Sequence, residues 1–208
     1  MTLVKICGIT RLEEARQAQL LGAWAIGEVF APSRRRIEPE AAAAINHALD
    51  EGITRIGVFV NEEIEELLAI IRLCALDVVQ LHGEEPPEYL DELPVPVIKS
   101  FSLSGAVDEE HIKRWRPWAY LFDTHSQAEY RGGTGHSFNW EWLEPIREKE
   151  RVILAGGLNP ITVPTAIKRV RPWAVDVSSG VEYPGGSKDP EKMEQFIKQV
   201  KEADRYES

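Results

Sequence analysis

The feature that most constrains this chain is a regular alternation of two kinds of segment along its length. Short apolar runs rich in β-branched residues recur about every 20 to 25 residues, and amphipathic stretches with a helical period lie between them. The runs predict strands at Leu3–Cys7, Trp24–Phe30, Arg55–Val60, Val78–His82, Val97–Phe101, Ala119–Asp123, Val152–Ala155 and Ala174–Ser178. Eight strands that alternate with helices predict an α/β protein with one closed parallel barrel, a (βα)₈ TIM barrel.

An open doubly wound sheet is the alternative architecture. It usually has fewer strands or a G-x-G-x-x-G turn after the first strand, and that turn is absent here. We see no linker or low-complexity tract, and 208 residues fit one domain. We therefore predict a single (βα)₈-barrel domain over residues 1–208, with short loops.

Several predicted helices carry start signals. Thr10 with Glu13 fits a capping box, and Asn61 before two glutamates suits a helix N-terminus. Asn159–Pro160 and Asp189–Pro190 each place a capping side chain before a proline at the first helical position.

Composition and charge exclude several classes of partner. A net charge of −10 argues against nucleic acid or an anionic membrane surface. No apolar run approaches the ~20 residues of a membrane helix, and the start of the chain lacks the pattern of a secretory signal. The two cysteines, Cys7 and Cys74, lack C-x-x-C spacing, so we expect a reducing cytoplasm and no disulfide. A small anionic ligand remains compatible with this charge, because main-chain N–H groups can hold a phosphate.

Candidate site residues lie where the predicted strands end, because barrels of this kind carry their active sites at the carboxyl ends of the strands. Cys7 precedes a predicted helix start, which favours a thiolate base or nucleophile, but a lone cysteine is as well explained as a small buried hydrophobe. Asp123 could be a general acid if desolvation raised its pKa, or it could cap the loop backbone.

Two small-residue loops follow the last two strands. Gly156–Gly157 and Ser178–Ser179–Gly180 fit two halves of a phosphate cradle, the usual position for a phosphate in this fold. The plainer interpretation is a pair of tight turns that need positive φ, and we favour the cradle because the two loops are adjacent.

A basic cluster, Arg34, Arg35 and Arg36, follows the second strand of an acidic protein. A guanidinium fork suits a carboxylate ligand, and we expect at least two of the three side chains to be simply solvated. The five histidines show no metal-binding spacing, so we predict no metal site, and His82 at a strand end is expected to orient a loop.

Period-two alternation places Lys5 on the same face as Cys7, and Asp176 on the same face as Ser178. The first and last strands are neighbours in a closed barrel, so a buried Lys5–Asp176 pair would settle two otherwise costly charges.

The motifs resemble a known family. They are KICGIT at 5–10, GVFVN at 57–61, QLHG at 80–83, FDT at 122–124, GGTGHSFNW at 132–140, GGLNP at 156–160 and DVSSGVE at 176–182. Together, and in this order, they resemble phosphoribosylanthranilate isomerase over nearly the whole chain.

The resemblance implies a cofactor-free barrel enzyme of tryptophan biosynthesis that acts on a small anionic substrate, a sugar phosphate joined to anthranilate, in an Amadori rearrangement. It implies Cys7 as general base, Asp123 as general acid and Arg35 as the residue that holds the anthranilate carboxylate. Substrate binding is further assigned to Gly156, Gly157, Asp176, Ser178, Ser179 and Gly180. We expect no nucleic-acid or membrane partner and leave a homodimer open.

One residue departs from the resemblance. Glu28 stands where the family usually has an apolar residue. By alternation it shares a face with Phe30, and if that face is inward, a carboxylate would lie in or near the site.

Three other functions remain as alternatives. The sugar-phosphate isomerase of histidine biosynthesis would have carboxylates ending strands 1 and 5, where this chain has Cys7 and Phe101. Indole-glycerol-phosphate synthase relies on lysines, for which Lys99 is the obvious candidate. A catalytically silent phosphate-binding subunit would not need both Cys7 and Asp123.

Overall fold

Eight parallel strands close into a barrel in sequence order. The computed structural model describes residues 1–103, 105–124, 140–143, 146 and 150–205, apart from the side chains of Thr124 and Trp140. The strands are β1 Leu3–Cys7, β2 Ala25–Val29, β3 Thr54–Phe59, β4 Val78–Leu81, β5 Val97–Leu103, β6 Ala119–Thr124, β7 Val152–Leu154 and β8 Ala174–Val177. The barrel prediction and all eight strands are confirmed, with ends that differ by one or two residues at most.

Helices surround the barrel. They are α1 Leu12–Leu21, α2 Pro39–His47, α3 Ile64–Cys74, α4 Tyr89–Glu92, α5 Glu109–Lys113, α6 Val163–Val170 and α7 Pro190–Arg205, with 3₁₀ turns at Trp140–Leu143 and Ser179–Val181. In the described part of the chain, no helix is long and apolar enough to cross a membrane.

One of the predicted helix starts is supported by the observed hydrogen bonds. Asp189 Oδ1 accepts from the N–H groups of Glu191 and Lys192, at 3.0 and 3.3 Å, and Pro190 is the first residue of α7. Asn159 Oδ1 also accepts from two N–H groups, but these bonds close a turn that precedes α6, which begins at Val163, so the start predicted at Asn159–Pro160 is wrong.

The first helix starts differently from its prediction. The Thr10 N–H donates to Glu14 Oε2 at 3.0 Å rather than to Glu13, and α1 begins at Leu12. Glu14 is buried, and its other oxygen accepts from the Lys188 N–H at 2.9 Å. Glu14 therefore ties the loop after β1 to the segment before α7, a long-range contact that outweighs the local capping box.

The start predicted at Asn61 is also wrong. Asn61 adopts a left-handed φ of 53°, and α3 begins at Ile64. The Asn61 Oδ1 accepts from the Glu84 N–H at 2.7 Å, so it links the loops after β3 and β4 instead of capping a helix.

Inside the barrel, alternating side chains form layers. One group of these inward side chains is an apolar layer, most of whose members lie in the amino-terminal halves of their strands: Ala25, Ile56, Val78, Ile98, Ala119, Leu121, Ile153, Ala155 and Ala174. Three tryptophans pack against this layer, with the Trp173 ring 4.9 Å from the centroid of Trp24 and 5.1 Å from that of Trp118. Lys5, Gln80 and Asp176 form a polar layer next to it. The amino end of the barrel is thus apolar, and polarity increases towards the carboxyl ends.

Glu28 faces the helices and not the barrel interior. Its Oε2 accepts from Asn46 Nδ2 of α2 at 2.9 Å, and the same amide donates to the carbonyl of Cys74 in α3 at 2.9 Å. Burial raises the pKa of Glu28 to about 7. The departure noted at Glu28 therefore adds no carboxylate to the mouth of the barrel.

The barrel closes by joining the two ends of the sequence. Strands β1 and β8 pair with Lys5 opposite Asp176. Next to this seam, the Thr2 N–H and Oγ1 donate to the Asp204 carboxylate at 2.6 and 2.8 Å. The closing contacts therefore connect residues from the first and last strands and from the last helix.

Candidate active site

The mouth of the barrel holds the two residues assigned to acid–base chemistry. Cys7 ends β1 and Asp123 lies near the end of β6, and both occupy inward-facing positions by strand alternation. Cys7 is 9% exposed, and Asp123 is half-buried. Gly27 on β2 makes room for the thiol, since a Cβ at Gly27 would lie 2.8 Å from Cys7 Sγ.

Cys7 is less acidic than its predicted role suggests. Burial raises the pKa of the Cys7 thiol, and the nearby Lys5 ammonium only partly opposes this effect. The expected help from a helix N-terminus is missing because α1 begins at Leu12, five residues further on. The positive charge beside the thiol comes instead from Lys5.

Arg35 is the arginine that reaches the mouth. Its stem packs over Gly8, where any Cβ would overlap it, and Gly8 takes a left-handed φ of 80°. The Arg35 side chain is 21% exposed, whereas those of Arg34 and Arg36 are 59% and 50% exposed. The contrast favours Arg35 over its two neighbours as the carboxylate-binding residue.

Glu182 holds Arg35 in place through a two-point ion pair. Arg35 Nε donates to Glu182 Oε1 at 2.6 Å and Nη2 donates to Oε2 at 2.9 Å. The buried Lys188 Nζ donates to Oε1 at 2.7 Å, and Arg34 Nη2 donates to Oε2 at 2.8 Å. Although burial opposes ionisation, hydrogen bonds from Arg35 and Lys188 lower the pKa of Glu182 to about 2. Three cations around one carboxylate leave this side of the mouth positively charged.

The loops after β7 and β8 touch each other at the mouth. Gly180 has no room for a Cβ, which would overlap the carbonyl oxygen of Leu158. Gly156 and Gly157 have φ values of 88° and 65°, and the space where a Gly157 Cβ would lie is open. In the described part of the chain, the N–H groups of Gly157, Ser179 and Gly180 have no acceptor. They are therefore available to an anion.

The polar layer beneath the thiol contains the predicted ion pair. Lys5 Nζ donates to Asp176 Oδ2 at 3.0 Å and to Gln80 Oε1 at 2.9 Å. Gln80 Nε2 lies 2.9 Å from His82 Nδ1. The Lys5–Asp176 prediction is confirmed, and this pairing directs Asp176 towards Lys5, while its assignment to substrate binding stays a prediction.

Lys99 does not face the mouth. It is buried on the helix-facing side of β5, where Nζ lies 2.8 Å from Glu85 Oε2 and 4.5 Å from the Trp115 ring centroid. Lys99 is therefore not placed to act on a substrate at the mouth, which argues against the indole-glycerol-phosphate synthase alternative.

Some predicted features are outside what is described, and others were missed. Residues 132–139 of the GGTGHSFNW motif lie outside the described residues. Among the residues that are described, no group of three or more His, Cys, Asp or Glu side chains could hold a metal ion.

The sequence analysis did not single out Glu182, Lys188 or Gln80 as residues of the site. Gln80 could have been found, because it lies two residues before His82 and so shares its inward face.

These features define a (βα)₈-barrel enzyme whose mouth suits a small anionic molecule. The family model for N-(5′-phosphoribosyl)anthranilate (PRA) isomerase matches residues 4–199. The N-(5′-phosphoribosyl)anthranilate isomerase of Syntrophomonas wolfei is 60% identical over 202 residues, which cover 97% of this chain and 98% of that protein. The chain therefore belongs to the N-(5′-phosphoribosyl)anthranilate isomerase family, whose members are intramolecular aldose–ketose isomerases.

Solved structures agree with this assignment. The phosphoribosylanthranilate isomerase of Thermotoga maritima superposes with a TM-score of 0.89 at 45% identity, covering 97% of this chain and 100% of that one. A second isomerase structure, in complex with reduced 1-(o-carboxyphenylamino)-1-deoxyribulose 5-phosphate, superposes with a TM-score of 0.87 at 43% identity, again covering 97% and 100%.

Proposed function

We propose that this protein converts N-(5′-phosphoribosyl)anthranilate to 1-(2-carboxyphenylamino)-1-deoxyribulose 5-phosphate in tryptophan biosynthesis. The observation that carries the proposal is the presence of Cys7 and Asp123 at inward strand ends of one mouth, in a chain that belongs to the isomerase family. A thiol and a carboxyl group on different strands can serve the two faces of a bound sugar.

The two ends of the substrate are anionic, and the mouth offers a site for each. Arg35 would bind the anthranilate carboxylate through Nη1, because Glu182 already occupies the Nε and Nη2 edge of the guanidinium. The phosphate would lie against the N–H groups of Gly157, Ser179 and Gly180. The ligand bound in the related structure carries the same two groups, a carboxyphenyl and a phosphate.

The reaction requires one acid and one base. Asp123 would protonate the furanose oxygen, so that the ring opens and leaves a protonated imine. That cation acidifies the hydrogen on C2′, which the Cys7 thiolate would remove to give an enolamine that tautomerises to the ketone. These proton transfers need neither a metal nor a nucleotide.

The decisive experiment compares two cysteine variants. Cys7→Ser should lower kcat by about 10²-fold or more, the usual effect of losing an acid–base group, with KM and thermal stability nearly unchanged. Cys74→Ser is the matched control, because Cys74 is a buried thiol at the end of α3, away from the mouth, and donates to the Pro39 carbonyl. Loss of anthranilate fluorescence measures turnover. Turnover of Cys7→Ser close to wild type would mean that Cys7 is only a packing residue.

We also propose that residues 1–208 form a single catalytic domain that works in the cytoplasm as a homodimer. The Thermotoga maritima isomerase is described as dimeric, which supports the oligomeric part of this proposal. Light scattering of the purified protein should give twice the chain mass of 23.5 kDa, and a value equal to the chain mass would contradict the dimer.

A further inference from the structure

Lys5 is a fully buried charge for which the proposed proton transfers have no direct use. It has no solvent exposure, and burial of an ammonium group is costly unless its donors are paired. An ammonium group has three N–H donors. Two of them bind Gln80 Oε1 and Asp176 Oδ2, which leaves one for another partner.

The thiol of Cys7 is a further neighbour of Lys5. The two residues are two positions apart on β1 and so share its inward face. The place where a Gly27 Cβ would lie is 2.8 Å from Cys7 Sγ and 3.1 Å from Lys5 Nζ, so both atoms border the same small space. A side chain at position 27 would separate them, and the glycine keeps them adjacent.

We propose that Lys5 is a positioning residue whose ammonium group stabilises the thiolate of Cys7 and, through Gln80, fixes the tautomer of His82. The proposal rests on the proposed role of Cys7 as the general base. It gives the buried Lys5–Asp176 pair a part in the reaction beyond its contribution to the packed interior.

The charges around Cys7 act in opposite directions. Lys5 and Lys188 favour the thiolate, while Asp176 disfavours it, and Arg35 is also close enough to interact with the sulfur. Asp176 therefore has two effects: it keeps Lys5 charged, and it weakens the influence of Lys5 on the thiol. The thiolate of Cys7 itself also favours the charged form of Lys5, so Lys5 keeps its charge when Asp176 is neutral and Cys7 is ionised. Removing Lys5 and removing the charge of Asp176 should therefore change the thiolate fraction of Cys7 in opposite directions.

The hydrogen-bond chain also sets the protonation of His82. Gln80 must present its oxygen to the Lys5 cation, so its amide nitrogen faces His82 Nδ1. An amide N–H₂ group only donates, so Nδ1 must accept, and the proton of the neutral ring is on Nε2. Burial and the charge of Lys5 lower the pKa of His82, which keeps the ring neutral. His82 thus offers an N–H donor from the end of β4.

The test is a pH titration of the ultraviolet absorbance of the thiolate, the form that a lowered thiol pKa favours, without substrate and with the Cys7→Ser signal subtracted to isolate Cys7. Lys5→Met should reduce the thiolate fraction at a given pH about tenfold or more, which corresponds to one pKa unit or more. Asp176→Asn should increase it. A defect that only loosened the interior would not shift the two variants in opposite directions.

A double variant keeps the test usable if Lys5→Met alone folds poorly. Lys5→Met/Asp176→Asn removes both charges, and its thiolate fraction should lie below that of Asp176→Asn, by about tenfold or more. Nitrogen NMR of His82 should show the Nε2–H tautomer in wild type and a mixture of tautomers in Gln80→Leu.

The proposal is overturned if Lys5→Met titrates like wild type and the double variant titrates like Asp176→Asn. It is also overturned if Asp176→Asn lowers the thiolate fraction, or if His82 keeps one tautomer in Gln80→Leu. These measurements need no substrate. Their failure is therefore separate from failure of the isomerase proposal, which turnover by the wild-type protein decides, and from failure of the proposed role of Cys7, which the turnover of Cys7→Ser decides.

Discussion

Replacing Glu182 with glutamine removes the single negative charge around which Arg34, Arg35 and Lys188 are arranged. The three cations hold the carboxylate in its charged form, and its pKa falls from an ordinary 4.5 to about 2. A shift of this size corresponds to about 3 kcal/mol in favour of the charged form, at 1.36 kcal/mol per pKa unit.

The direction of the pH dependence follows from the lowered pKa. A carboxylate whose pKa is lower in the folded protein stabilises the fold above its unfolded-state value, here near 4.5, and loses that contribution as the pH falls towards 2. Glutamine does not titrate in this range. The difference in free energy of unfolding between wild type and Glu182→Gln should be constant from about pH 7 to 5 and shrink by about 3 kcal/mol at lower pH.

Urea unfolding at a series of pH values measures this difference. Glu38→Gln is the matched control, because Glu38 also pairs with an arginine, Arg36, at 3.5 Å, but both side chains are at least half exposed. An exposed pair contributes ~1 kcal/mol or less, so its difference should hardly change with pH. If the difference in free energy of unfolding between wild type and Glu182→Gln stayed constant down to pH 2.5, Arg34, Arg35 and Lys188 would not be holding Glu182 in its charged form.

The same variant should affect substrate binding. Glu182 binds the Nε and Nη2 edge of Arg35 and so orients Nη1 towards the substrate. Glu182→Gln should therefore raise KM more than it lowers kcat, because the lost contact holds the substrate and the transition state equally. An unchanged KM would remove Arg35 from the carboxylate site.

Asp123→Asn should bind substrate but turn it over at least about 10²-fold more slowly and lose the alkaline limb of the pH–rate profile; a full rate with that limb intact would place the proton donor elsewhere. Gly180→Ala should weaken inhibition by inorganic phosphate, because its Cβ would push apart the loops after β7 and β8. Gly185→Ala, with open space at its Cβ, should not weaken it. Glu28→Gln should be the more stable protein at pH 8: burial raises the pKa of Glu28 from 4.5 to about 7, so wild type loses up to about 3 kcal/mol as the pH rises through this range. We expect wild type and Glu28→Gln to have equal urea midpoints at pH 4.5 and Glu28→Gln to have the higher midpoint at pH 8. Equal midpoints at pH 8 would contradict the cost assigned to the buried charge.

Features that depend on residues close together in the sequence were predictable. Strand alternation placed Lys5 and Asp176 on inward faces of neighbouring strands, and the ion pair follows from that placement. Asp189–Pro190 identified the start of α7 because a cap and its helix are adjacent in sequence. The family motifs predicted catalytic roles for Cys7 and Asp123, which position alone left undecided, and these roles stay predictions.

Features that depend on distant contacts were not predictable. Glu14 prevails over Glu13 because Lys188 lies beside it in the folded chain, and no local pattern contains that information. The same holds for Glu182, whose partner Arg35 comes from the loop after β2. The sequence left undecided whether the Glu28 side chain faces the barrel interior or the helices. Strand alternation shows which residues share a face but does not show which face is inward.

The seam between β1 and β8 makes this site a late product of folding. Lys5 and Asp176 are separated by 171 positions and Glu14 and Lys188 by 174, and contacts between such distant residues form slowly because a long loop must first be closed. During synthesis the chain emerges from its amino end, so the surroundings of the thiol stay incomplete until nearly the whole sequence is available. Activity measured during refolding should therefore report closure of the barrel, and helical structure should return before it.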